Sequence, residues 1–62
     1  MTGKEIIKKL KAAGWEYVSI EGSHHHYRNP KTGKKVPIPV HGKKDIGKGL
    51  FHKIQKQTGM KF

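Results

Sequence analysis

The stretch Trp15-Glu16-Tyr17-Val18-Ser19-Ile20-Glu21-Gly22-Ser23-His24-His25-His26-Tyr27-Arg28-Asn29 decides the fold of this 62-residue chain. Side chains alternate along an extended backbone, so Trp15, Tyr17 and Ser19 fall on one side of its first half and Glu16, Val18 and Ile20 on the other. Aromatic and β-branched content makes that half a strand. Glu21-Gly22-Ser23 reads as a turn, and His24 to Asn29 returns antiparallel as a second strand. His24, His26 and Arg28 then face opposite to His25 and Tyr27.

Downstream, Asn29-Pro30-Lys31-Thr32-Gly33 is a strong reversal signal that leads into a third strand, Lys35 to Val40. Pro37 and Pro39 fit that strand because backbone N–H groups alternate sides. Both prolines lose their donor toward the same side, which predicts an open sheet edge, with Val36, Ile38 and Val40 pointing into the core. Upstream, Thr2-Gly3-Lys4-Glu5 forms a capping box that starts a helix. Ile6, Ile7, Leu10 and Ala13 give this helix one apolar stripe, and Gly14 fits the left-handed position that ends it. After the basic loop His41-Gly42-Lys43-Lys44-Asp45, the spacing of Ile46, Leu50, Phe51 and Ile54 predicts a second helix. Gly59 stops it, and Met60 folds back on Ile54. The order helix, three antiparallel strands, helix is a two-layer α+β sandwich with both helices on one face of the sheet. Residues 1–62 are expected to form a single domain, with no linker or repeat.

Fourteen Lys+Arg against four Asp+Glu leave a formal net charge of +10, the footprint of a protein that neutralises phosphates. Arg28 is the one arginine, which favours point-charge contacts to a nucleic-acid backbone over bidentate reading of base edges. Without cysteine, neither a disulfide nor a zinc site of the usual spacing can staple the fold. A domain this small buries only about 60% of the surface its unfolded chain exposes, so the core must work alone for a modest stability. No apolar stretch has the ~20 residues of a membrane span, so the expected compartment is the cytosol.

The triplet His24-His25-His26 admits four readings. A metal site is disfavoured because alternation sends His25 to the other face and no carboxylate or cysteine lies at ligand spacing. A tag remnant is disfavoured because the triplet is internal and embedded in strand patterning. Solvated strand residues are the plain alternative. The fourth reading is catalytic, since histidine takes or gives a proton near neutral pH and the field around it attracts phosphate. In RNA a deprotonated 2′-oxygen can attack its own 3′-phosphate, so the protein need add only a base and positive charge for the crowded phosphorane. Arg28, Lys34, Lys35, Lys43 and Lys44 are candidates for that charge, and His26 or His41 for a second proton transfer. Trp15 is expected in the core, Tyr17 and Tyr27 could pack or stack on bases, and His52 is an ordinary surface residue.

Several of these residues together resemble the HicA toxin family. They are Gly14-Trp15 after a short helix, Gly22-Ser23-His24-His25, and Val36-Pro37-Ile38-Pro39 leading to His41. Lys48-Gly49-Leu50, Ile54 and Gln57-Thr58-Gly59-Met60 extend the match over almost the whole chain. Gly22-Ser23-His24 at the entry to the second strand is its most specific element. The resemblance implies a double-stranded-RNA-binding-domain-like α-β-β-β-α fold, in agreement with the order read above. It implies a ribosome-independent mRNA interferase that needs no cofactor, with His24 as the functional histidine. Ser23, His26, Arg28, Lys34, Lys35, His41, Lys43 and Lys44 are then expected to hold the RNA, although His26 stands where the family more often has lysine or glutamine. The implied partner is the antitoxin HicB, which covers the histidine and the basic surface, and through which alone DNA would be met. The alternative is a non-catalytic double-stranded-RNA-binding module, disfavoured because 62 residues leave little surface to span ~16 base pairs. A protein that binds only its antitoxin is a third possibility.

Overall fold

Thr2 opens α1 (Gly3–Ala12) with the expected capping box, shown by a computed structural model that describes residues 1–62. The Thr2 N–H donates to a Glu5 carboxylate oxygen at 2.9 Å, and the Glu5 N–H donates to Thr2 Oγ1 at 3.3 Å. The bond from the Thr2 N–H, then contact with the Thr2 side chain, hold the Glu5 carboxyl below its ordinary range. Ile6, Ile7 and Leu10 are buried. Ala13, expected on the same stripe, is instead the exposed C-cap, because the helix ends before that position turns inward. Gly14 adopts φ 95°, and the Trp15 and Gly14 N–H groups donate to the Leu10 and Lys11 carbonyls at 2.9 and 3.0 Å. This is a Schellman cap, and it drops Trp15 into the core beside the helix it ends.

β1 (Glu16–Glu21), β2 (His24–Arg28) and β3 (Lys35–Pro39) form an antiparallel sheet in that order. Tyr17 lies opposite Tyr27 but Ser19 lies opposite His26, so Val18 is an extra residue in β1. The bulge corrects the simple alternation expected for this strand: Ser19 is on the face opposite Tyr17, and Ile20 shares the Tyr17 face. β3 pairs in even register, Tyr27 with Val36 and His25 with Ile38. The Asn29 N–H donates to the Lys34 carbonyl and the Val40 N–H to the Ser23 carbonyl, both at 2.8 Å. These bonds place Pro37 and Pro39 at the positions whose missing donors face away from β2, so β3 is the proline-protected edge that the sequence predicts.

Ile6, Ile7, Leu10, Trp15, Tyr27, Val36, Ile38 and Ile54 form the core, to which both helices and one face of the sheet contribute. Gly3 is buried where α1 meets the end of β3, and a Cβ there would collide with the Pro39 carbonyl oxygen. α2 (Lys48–Thr58) begins later than the Ile46 spacing predicts, because Ile46 is held by the N-terminal segment. Its N–H donates to the Met1 carbonyl at 2.8 Å, next to a bridge between Thr2 and Asp45. Ile54 is the one buried residue of α2, and Gly59 ends it at φ 70°. Met60 packs against the core as expected, and Phe62 follows it, its N–H donating to Gln55 Oε1 at 3.1 Å and its ring 6.2 Å from that of Phe51. Neither helix is long and apolar enough to cross a membrane.

Candidate active site

The turn before β2 reverses through Gly22 at φ 59°, a left-handed conformation that glycine adopts without strain. β2 therefore starts at once with His24, set between Glu21 of β1 and Pro39 of β3 on the sheet face away from the helices. The register is kept one step further by the bond between Val40 and Ser23, and only then does the chain leave the sheet as His41. The loop that follows is pinned at both ends. The Lys44 N–H donates to the His41 carbonyl at 3.1 Å, while Asp45 Oδ1 pairs with the Met1 amine at 3.2 Å.

These restraints shape a cleft of about 310 Å³ lined by His24, Pro39, His41, Lys44, Asp45, Ile46, Gly47 and Leu50. His24, His41 and Lys44 thus border one space at the small end of the ligand-cleft range. The carboxylate of Asp45 already has a cationic partner. Gly47 caps α2 with no side-chain hydrogen bond, so the first N–H groups of the helix stay without a protein side-chain partner at the cleft wall.

The other expected residues divide into groups. Ser23 is half-buried in the turn, its carbonyl spent on Val40. His26 is half-buried in the middle of the outer face, between Ser19 and Pro37. Arg28 and Lys35 are opposite each other and exposed at the far end of β2, with Lys34 beside them. Four residues of strand, roughly 13 Å, separate Arg28 from His24, so these cations extend a surface from the cleft rather than lining it. Lys43 is exposed on the same loop as Lys44. His25 is on the helix side opposite Ile38, so the histidine triplet is split across the sheet. No three His, Cys, Asp or Glu side chains converge into a group that could hold a metal ion.

The apolar wall of the cleft does not follow from the hydrophobic spacing of the chain. Leu50, expected on the core stripe of α2, is 39% exposed on the cleft instead. The signal was present in Gly47-Lys48-Gly49, a poor start for a helix that should already run from Ile46. Among the aromatics, Trp15 and Tyr27 are buried, whereas Tyr17 is 56% exposed and meets Tyr27 edge-on at 6.1 Å.

A family model described as "HicA toxin of bacterial toxin-antitoxin" matches residues 3–60. A protein of Pseudomonas fluorescens (strain Pf0-1) named "Probable mRNA interferase HicA" is 39% identical over 61 residues, covering 98% of each chain. The family match spans α1, the Gly22-Ser23-His24 turn, the proline edge and the end of α2, and on these grounds the chain belongs to the HicA toxin family.

Proposed function

We infer that this chain cuts messenger RNA by metal-independent transesterification, as the toxin of a type II toxin–antitoxin pair. His24 acts as general base on a ribose 2′-hydroxyl, and the freed oxygen attacks the adjacent 3′-phosphate. The products are a 2′,3′-cyclic phosphate and a 5′-hydroxyl end. Lys44 neutralises the phosphate in the cleft, while His26, Arg28, Lys34, Lys35 and Lys43 track the flanking strand by charge. A HicB-type antitoxin covers His24 and this surface, and contact with operator DNA passes through that partner. The reaction belongs to the cytosol, where the message is.

The observation that carries this reading is the position of His24, exposed at the mouth of β2 and sharing one cleft with His41 and Lys44 in a chain of net charge +10. Membership of the HicA toxin family and the interferase name of the Pseudomonas relative support it. Purified protein incubated with a defined single-stranded RNA in EDTA is the test. Wild type should leave cyclic phosphate ends, and His24→Ala, with an unchanged melting temperature, should cleave about 10²–10⁴-fold more slowly. A folded wild type that binds this RNA without cutting it would return the chain to a non-catalytic RNA-binding module.

A further inference from the structure

Transesterification needs a proton for the departing 5′-oxygen as well as a base for the 2′-hydroxyl. We propose that His41 supplies that proton, an assignment that rests on His24 being the base. The ladder between β2 and β3 is still in register at Val40, whose N–H bonds the Ser23 carbonyl at 2.8 Å. His41, the next residue, therefore leaves the sheet diagonally across from His24, which pairs with Pro39. Diagonal neighbours on one face stand about 7–8 Å apart, within reach of long and aromatic side chains. His24 and His41 line the same cleft.

An in-line displacement places the entering and leaving oxygens on opposite sides of phosphorus. Acid and base must therefore flank the phosphate rather than stand on one side of it. Two rings at the tips of diagonal positions leave room for a phosphate between them, with a hydrogen bond of about 2.7–3.0 Å on each side. His26 shares the His24 face but is half-buried between Ser19 and Pro37 and does not line the cleft. Lys44 does line it, but its ammonium suits the non-bridging phosphate oxygens, whereas an imidazole exchanges protons near neutrality.

The step balances without a co-reactant. The 2′-hydroxyl proton passes to the His24 imidazole, the O2′–P bond forms and the P–O5′ bond breaks. The electron pair left on O5′ takes a proton from the His41 imidazolium. His24 ends protonated and His41 neutral, and exchange with water restores the pair.

A chemically modified RNA separates this role from binding. With sulfur in place of the bridging 5′-oxygen, the leaving thiolate needs no proton. His41→Ala should be about 10²–10⁴-fold slower than wild type on ordinary RNA and close to wild type on the sulfur-bridged substrate. His24→Ala should stay slow on both. The assignment of His41 is overturned if His41→Ala is equally slow on both linkages, if it is unimpaired on ordinary RNA, or if His26→Ala shows the rescue instead. A folded wild type that cleaves neither linkage overturns the base assignment as well, which distinguishes failure of the underlying reading from failure of this one.

Discussion

α1 and α2 are of nearly equal length but are built to different standards. α1 has a capping box at one end and a Schellman cap at the other, and Gly3, Ile6, Ile7 and Leu10 are buried along it. α2 starts at a glycine with no side-chain cap and no acidic residue in its first turn, and Ile54 alone is buried. The weak end of α2 lines the cleft together with His24 and His41, whereas no residue of α1 lines it. A carboxylate cap at Gly47 would stabilise the helix but place a negative charge where the proposed substrate brings its phosphate. The contrast separates a helix that secures the fold from one whose start is left bare at the site.

The strongest way to break this contrast is to remove the one buried residue of α2. Ile54→Ala should cost about 2–5 kcal/mol, as should Leu10→Ala in α1, because each empties a fully buried position. Chemical denaturation measures the cost. Hydrogen exchange separates the two variants, since Ile54→Ala should expose the amides of α2 before those of α1, and RNA cleavage should fall with them.

A smaller effect is expected at the start of α1. Thr2→Ala should lose about 0.5–2 kcal/mol, read as a lower denaturation midpoint. The partner carboxylate adds a pH signature. Glu5 is held below its ordinary range, so its contribution is present above the ordinary carboxylate pKa and lost as pH falls through the folded value. Melting temperatures of wild type and Glu5→Gln should therefore differ near neutrality and converge in acid.

The smallest effect on stability, and the sharpest for the comparison, belongs to Gly47→Asp. It should stabilise α2 by a few tenths of a kcal/mol while slowing RNA cleavage, whereas Gly47→Ser should stabilise without that penalty. Equal cleavage by both variants would mean that the start of α2 is not near the phosphate.

Most of the scaffold was legible because its signals are local. A capping box, a glycine stop and two prolines spaced by one residue each act within a few positions, and Thr2-Glu5, Gly14 and Pro37-Pro39 do what their types dictate. The bulge at Val18 was less visible, since Tyr17-Val18-Ser19-Ile20 reads as an ordinary strand until its pairing with β2 is known. The phase of the apolar residues does slip there, from Trp15 and Tyr17 to Ile20. The cleft was the least legible part. It depends on Met1 and Thr2 meeting Asp45 and Ile46, and on Gly3 packing under Pro39, contacts between segments far apart in sequence. His24 could be picked out by motif, but that His41 rather than His26 shares its cleft follows only from the register of β3.

Amide and imidazole chemical shifts, followed while the protein is titrated with a 2′-O-methyl RNA that cannot be cleaved, test the site most directly. The largest changes should fall on His24, His41, Lys44 and Gly47, with smaller ones along His26, Arg28 and Lys35. Changes centred on Lys4, Lys8, Lys9 and Lys11 of α1, with the cleft histidines unmoved, would contradict the account.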